Sequence, residues 1–254
     1  MRRNRVDPSE TAAKNKMKKF RIMVGTPCYG GMVAEKYLMA MFKTVANCMG
    51  LGVDLYLHAV SNQSLVTRAR NEIVASFLAS DCTHLFFIDA DIGWKPEDFI
   101  AVLLHDREVV GGVYRMKCDE PRYTLNLSKM TINIENGLAE AERIGTGFLC
   151  IQRSVFEKMM AEYPHMKYVS KSDILSEKEK EFCYTFFDTE VDRDGVYWSE
   201  DFAFCNRWKA LGGKIYFNPY INLDHMGSYV FKGDFTKQMS TRIVTGKQIG
   251  RAHV

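Results

Sequence analysis

The chain has no C-x-x-C pair, no internal repeat and no apolar run near the ~18 residues that a membrane span requires. Without a C-x-x-C pair there is no zinc ribbon and no thioredoxin-type motif. The cysteines are seven, an odd and widely spread set at 28, 48, 82, 118, 150, 183 and 205. Most sit in apolar strand or helix patterns, where buried free thiols are expected, and this usage suits a reducing, cytoplasmic compartment. The N-terminus is basic but lacks the apolar stretch of a secretory leader, so none is expected. With no apolar span, no transmembrane segment is expected either.

A basic body is also missing. The formal net charge is +3, yet residues 1–21 hold eight basic side chains against two acidic, and residues 232–254 hold five against one. The intervening residues 22–231 carry 21 basic and 28 acidic side chains, a net of −7. An acidic body between basic ends disfavours nucleic-acid binding, which needs a basic folded face. A solvated tail is expected at 1–19, since its lysines and arginines have no apolar face to hold them on a lipid surface. Residues 236–254 are expected to form a second tail. Its last six residues (Ile249 to Val254) match one reading frame of a common sequencing-adapter oligonucleotide, so they are expected to be an assembly artefact.

What remains is a body long enough for one domain that buries roughly 70% of its unfolded surface. Strand and helix patterns alternate through the first half. Phe20–Gly25, Val53–Val60, Leu85–Ile88 and Glu108–Val113 read as strands; Val33–Met49, Thr67–Ala79 and Pro96–Leu104 read as helices. The unbroken apolar run at 85–88 is the mark of a strand covered on both faces, and the alternation predicts an open, mostly parallel α/β sheet with helices on both sides. The second half is more mixed. Strands are expected at Leu125–Ile134, Arg143–Ile151, Lys214–Asn218 and Ile221–Asp224, and helices at Ser154–Glu162 and Ser199–Leu211, the latter capped by Ser199. Lys167–Glu181, dense in Lys and Glu, reads as a solvated helix or loop.

The strongest chemical signal is Phe86-Phe87-Ile88-Asp89-Ala90-Asp91. Carboxylates at i and i+2 are expected to leave a strand on one side, at the carboxyl end where open α/β sheets bind ligands. Two acids so placed call for a cation, and oxygen ligands select Mg²⁺ or Mn²⁺. An acidic turn capping the Pro96 helix is the alternative.

This D-x-D strand resembles the metal motif of GT-A-fold glycosyltransferases, which use nucleoside-diphosphate sugars. Three further segments match that pattern in order. Arg68-Ala69-Arg70-Asn71 resembles the A-R-N segment that faces the nucleotide. Glu200-Asp201 resembles the E-D pair that opens a helix beneath the acceptor, and Asp224-His225 resembles the late His of the metal shell. The resemblance spans residues 20–235. It implies a GT-A domain with Asp91 on the metal, Asp89 on metal or ribose, and His225 as a nitrogen ligand that favours Mn²⁺. It also implies Asp201, or less directly Glu200, as the base that activates an acceptor hydroxyl if the reaction inverts configuration; a retaining enzyme would not need this base. At a separation of ~4 Å and an effective dielectric of ~20, one charge pair on the leaving diphosphate is worth roughly 4 kcal/mol.

Softer candidates follow from the same pattern. Thr26, Pro27 and Tyr29 follow the first strand, where the base would sit. Arg68 and Arg70 would meet ribose or diphosphate, or lie exposed on their helix. Gly145-Thr146-Gly147 would let sugars approach closely, or form a plain turn. Trp94 would platform a sugar or join the core, and Lys232 would touch the diphosphate or solvent. Donor sugar, nucleotide, acceptor and oligomeric state leave no mark in the sequence. Two competing classes remain. A sugar-1-phosphate nucleotidyltransferase would want a basic residue in Gly25-Thr26-Pro27-Cys28-Tyr29-Gly30-Gly31, which has none; the other class is a non-catalytic sugar-nucleotide binder.

Overall fold

A computed structural model describes residues 19–128, 131–238 and 242–245. Most of both expected tails, including the final six residues, lies outside the described residues. The chain opens with β1 (Arg21–Cys28), α1 (Glu35–Leu51), β2 (Asp54–Ser61), α2 (Val66–Ala79) and β3 (His84–Ile88). After a two-residue strand β4 (Ile92–Gly93) come α3 (Pro96–His105) and β5 (Val109–Gly111). The second half supplies β6 (Ala139–Ala141), β7 (Phe148–Gln152), α4 (Arg153–Glu162), α5 (Glu200–Ala210) and β8 (Ile215–Phe217). It closes with β9 (Asp224–Met226) and β10 (Val230–Lys232).

Seven strands form the central sheet in the order β2-β1-β3-β7-β5-β8-β6. Five run in one direction; β7 and β6 run against their neighbours. The fold is therefore an α/β domain with a mostly parallel sheet flanked by helices, as the alternating patterns predict. Alternation within β3 explains its unbroken apolar run. Leu85 and Phe87 join the core beneath α2, α4 and α5, while Phe86 and Ile88 join the core beneath α1 and α3. Each fully buried Phe contributes roughly 1.5–3 kcal/mol through burial. The helix boundaries follow local chemistry. Gly52 ends α1 in the left-handed region (φ 70°), and α3 begins at Pro96 with Glu97 and Asp98 in its first turn.

Some expectations need correction, and others are narrowed to one of their alternatives. Leu125–Ile134 is not one strand: Leu125–Asn126 pairs with Arg143–Ile144, and Thr131–Ile134 pairs in parallel with Arg242–Thr245. Lys167–Glu181 is mostly irregular, with one helical turn at Glu177–Lys180 closed by a Ser176/Glu179 capping box. The final short strand begins at Asp224 rather than ending there, so it carries His225 within a ladder. Trp94 belongs to the core: its indole N–H donates to Thr44 Oγ1 (2.9 Å) and its ring packs edge-on against Tyr37. All seven cysteines are free, and six are buried.

Candidate functional site

The chain leaves β1 toward β2 on one side and returns to β3 on the other, so a crevice opens where the strand order reverses. A cleft of about 670 Å³ lies there. β1 runs on through Thr26 and Pro27 rather than stopping before them, so Pro27 near its end and Tyr29 just after it, Gln63 and Ser64 before α2, and Arg70, Asp89 and Asp91 line the cleft. Tyr29 is exposed on its wall. Thr26 is not in it: the residue is fully buried and its hydroxyl is hydrogen-bonded to Tyr37 Oη (2.6 Å).

The D-x-D pair does not sit on β3 but in the tight turn between β3 and β4. Backbone bonds fix that turn. Asp89 N–H donates to Gly147 O (3.1 Å), Ala34 N–H to Ala90 O (2.8 Å) and Met226 N–H to Asp91 O (2.8 Å). Because a turn rather than an extended strand presents them, the two carboxylates take different partners. Asp89 Oδ1 pairs with Arg70 Nη2 (3.0 Å), whereas Asp91 Oδ2 meets Lys117 Nζ and lies 3.5 Å from His225 Nε2. The expected triple of Asp89, Asp91 and His225 is not gathered. Among the described residues no group of three or more His, Cys, Asp or Glu is placed to hold a metal ion.

Asp91 and His225 nevertheless face each other with the polarity of a ligand pair. β9 pairs antiparallel with β4, setting His225 opposite Ile92 and Asp224 opposite Gly93. The His225 Nδ1 donates to the Arg115 carbonyl (2.8 Å), since a carbonyl only accepts. Nε2 is thereby turned toward Asp91, the arrangement in which an imidazole bonded to a backbone carbonyl serves a cation. Burial acts to raise the Asp91 carboxyl, but the His225 and Lys117 contacts hold it below its ordinary value.

Arg70 ties this region to the start of α5. It is 4% exposed, and its Nε reaches Glu200 Oε1 (3.4 Å) while Nη2 reaches Asp89. Its guanidinium lies 5.4 Å from the Phe87 ring centroid, and Nη1 is buried without a hydrogen-bond partner. One cation thus bridges the D-x-D turn and the E-D pair. Arg68, by contrast, is exposed and absent from the cleft lining. Asn71 is buried and structural: its Oδ1 accepts from Phe187 N–H (2.8 Å).

At the head of α5, Ser199 occupies the N-cap position without capping the helix through its side chain. Its hydroxyl donates instead to Asp201 Oδ1, which also accepts from Phe202 N–H (2.8 Å). The helix terminus alone would favour ionised Asp201. Burial instead raises its pKa, and the neighbouring Glu200 charge adds to the rise.

Tyr114 is the residue sequence reasoning missed. It is buried, its hydroxyl accepts from Gly147 N–H (3.1 Å), and its ring stands edge-on to His225 at 5.1 Å. Burial, with the charges of Asp89 and Asp201, pushes its phenol well above the ordinary value. A Cβ at Gly147 would lie 2.7 Å from this ring, and one at Gly145 2.8 Å from its hydroxyl. The small residues thus make room for a tyrosine; Thr146 between them is buried, with Oγ1 unpartnered. The signal available was the pairing of two obligatory small residues with a tyrosine just beyond a buried strand. Lys232 is exposed on β10, opposite Asp224, and lines a separate groove with Lys36 and Lys95. The lysine at the carboxylates is Lys117.

No known family's sequence profile matches this chain, and no curated protein matches its sequence. Among solved structures, the chain is similar in fold to "Crystal Structure of A197 from STIV", with 16% identity, a TM-score of 0.51, and 92% of this chain and 100% of that one covered. A lower similarity (10% identity, TM-score 0.44) relates 82% of this chain to 44% of a structure described as GalNAc-T7 with UDP, GalNAc and Mn²⁺. A lower one still (11%, TM-score 0.35) relates 77% of it to 99% of 4-diphosphocytidyl-2C-methyl-D-erythritolsynthase from Anaerococcus prevotii DSM 20548. Among the described residues, no helix is long and apolar enough to cross a membrane.

Proposed function

We propose that the chain is a metal-dependent glycosyltransferase of GT-A type, moving a sugar from a nucleoside-diphosphate donor to an acceptor hydroxyl with inversion. The observation that carries this reading is the Arg70 bridge, which joins the D-x-D turn at the cleft floor to the E-D pair at the start of α5. A donor site and an acceptor base are needed on either side of one anomeric carbon, and Arg70 holds both sets of carboxylates to one point.

In this reading the nucleotide enters the crevice beside Pro27 and Tyr29, and Asp89 meets the ribose. Asp91 and His225 would hold Mn²⁺, an oxygen and a nitrogen donor suiting that ion. The bound ion would supply Lewis-acid neutralisation of the leaving diphosphate. Asp201 accepts the acceptor's hydroxyl proton at Oδ2, because Oδ1 is engaged by Ser199 and Phe202. The new bond forms from acceptor oxygen to the anomeric carbon as the bond to the diphosphate oxygen breaks, its electron pair leaving with the diphosphate. Burial around Asp201 favours the role, since a base with a raised pKa takes a proton more readily.

The test is a panel of nucleotide sugars with Mn²⁺, read by release of free nucleoside diphosphate and by thermal shift. Asp91→Ala is expected to abolish the Mn²⁺-dependent part of both signals. An unchanged signal in that variant removes the metal assignment, and release of pyrophosphate from nucleoside triphosphates would point to nucleotidyl transfer instead.

A further inference from the structure

We propose that the chain assembles as a two-fold dimer through the open edge of its central sheet, β2 of one copy pairing antiparallel with β2 of the other. The sheet ends at β2, which pairs with β1 over all eight residues on one side. Among the described residues, nothing pairs with its other side. Such an edge is a template for another strand, and proteins ordinarily blunt it with proline, lysine, a bulge or a covering element. Asp54–Ser61 has no proline, no lysine and no break in its register, and its one carboxylate, Asp54, sits at the very end. Tyr56 and Leu57, on opposite faces of the strand, are each about half exposed.

The apolar surface continues from this edge onto α1. That helix buries Tyr37, Met41, Thr44 and Cys48. One step round it, at the same spacing of three and four residues, stand Leu38, Phe42, Val45 and Met49. Phe42 is 65% exposed and Met49 76%. Helix geometry says where this stripe points. Lys36 and Lys43 lie on the other flank of the buried face, in the groove shared with Trp94 and Lys95 at the start of α3. The stripe therefore faces away from α3 and toward the β2 edge, where Val45 and Leu55 both pack at the margin of the core beneath α1. Leu57 shares the Leu55 face of the strand, so strand and helix offer one continuous apolar flank without a charge in it.

A second copy is the occupant that fits this flank. A single extended peptide would satisfy the strand edge but leave the α1 stripe, about 16 Å long, uncovered. Another copy supplies both a strand and a helix. A two-fold axis normal to the sheet makes the strands antiparallel and puts both α1 helices on one face, stripe toward stripe. It also sets the two Asp54 carboxylates at opposite ends of the seam, whereas parallel pairing would set them side by side. Strand edge and exposed side chains together offer roughly 600–800 Å² per copy, the scale of a standard stable interface. Each cleft lies beyond the carboxyl end of its own β2, so the seam leaves both clefts open, at its two ends.

The test is sedimentation velocity of the full chain from about 1 to 100 μM, a range that reaches the weaker interfaces of this size. Hydrogen exchange of the 54–61 amides is followed over the same range. The wild type is expected to pass from monomer to dimer and stop there, with these amides protected as the dimer forms. Leu57→Lys places a charge in the seam from both copies at once and should weaken dimerisation at least about 100-fold. Phe42→Glu, on the helix half, should do the same. Both positions are exposed within one copy, so each variant should keep the wild-type melting temperature at the lowest concentration. Val191→Lys, at an exposed apolar position away from β2 and α1, should leave the dimer constant unchanged. The proposal is overturned by a chain that stays monomeric with rapid β2 exchange, by assembly that grows past the dimer, or by a dimer that neither variant weakens. A monomer whose β2 amides are protected at every concentration, and lose that protection when residues 1–19 are deleted, overturns it in favour of the chain's own N-terminal segment.

Discussion

Replacing Arg70 by Met removes one cation from between two carboxylates and keeps most of the side-chain volume. Breaking a buried ion pair by deleting one partner costs about 3–5 kcal/mol, mainly because the remaining charge is left unpaired. Asp89 and Glu200 keep 25% and 16% side-chain exposure, so water relieves part of that cost. The lower end, about 3 kcal/mol, is the appropriate expectation. At about 2–4 °C per kcal/mol for a domain of this size, the melting temperature should fall by roughly 6–12 °C. Lys in the same place keeps a charge but not the two-armed fork, and should recover about half of the loss. The decisive measurement is a calorimetric cycle of Arg70→Met, Glu200→Gln and the double variant. Neutralising Glu200 removes one of the orphaned charges, so the double variant should melt above Arg70→Met. The bridge is refuted if Arg70→Met melts with the wild type, or if the two losses simply add.

Two further outcomes follow from the site. Asp201→Asn keeps the Oδ1 acceptor used by Phe202 and Ser199, and should lower transfer by about 10²–10⁴-fold while raising the melting temperature. The sign follows from the raised pKa: an acid raised on folding is destabilising when ionised, so a neutral amide relieves the fold at pH 7. For the same reason the acid limb of the wild-type rate profile should lie above the position of an unperturbed aspartate, with activity lost as pH falls through it. Gly147→Ala should cost about 1–3 kcal/mol in chemical denaturation, because the methyl group meets the Tyr114 ring at 2.7 Å. A stability equal to wild type would mean that the ring is free to move aside.

The first half of the fold was legible because its signals are local. The run His84–Ile88 is apolar at every middle position, and α3 begins where Pro96 and two acids fall together. Those patterns report burial on two faces and a helix start, and they need no distant contact to be true. The second half depends on pairing across the chain. β7 reads as a strand, but its antiparallel insertion between β3 and β5 follows from partners that local pattern does not name. The candidate site divides in the same way. Arg70 meets both Asp89 and Glu200, whereas Asp91 turns to Lys117 and His225, a split that the order of the motifs does not reveal. Thr26 and Asn71 are polar residues in suggestive positions whose hydrogen bonds face the core. Lys232 and Lys117 are indistinguishable as letters; the Arg115–Tyr123 hairpin is what brings the second to Asp91.

The pairing of β9 with β4 gives the protein a modular quality. Asp91 and His225 lie far apart along the chain, yet Met226 N–H bonds to Asp91 O and His225 stands opposite Ile92, so ladder geometry sets their separation. Inter-strand spacing varies little, whatever chain connects the strands. Apart from the stretch at Arg115, whose carbonyl holds the imidazole, the loops that intervene can lengthen, shorten or be exchanged without altering the bite of this pair. The Asp91–His225 spacing then stays constant while such loops vary. Loop-graft experiments should therefore leave β4 and β9 intact.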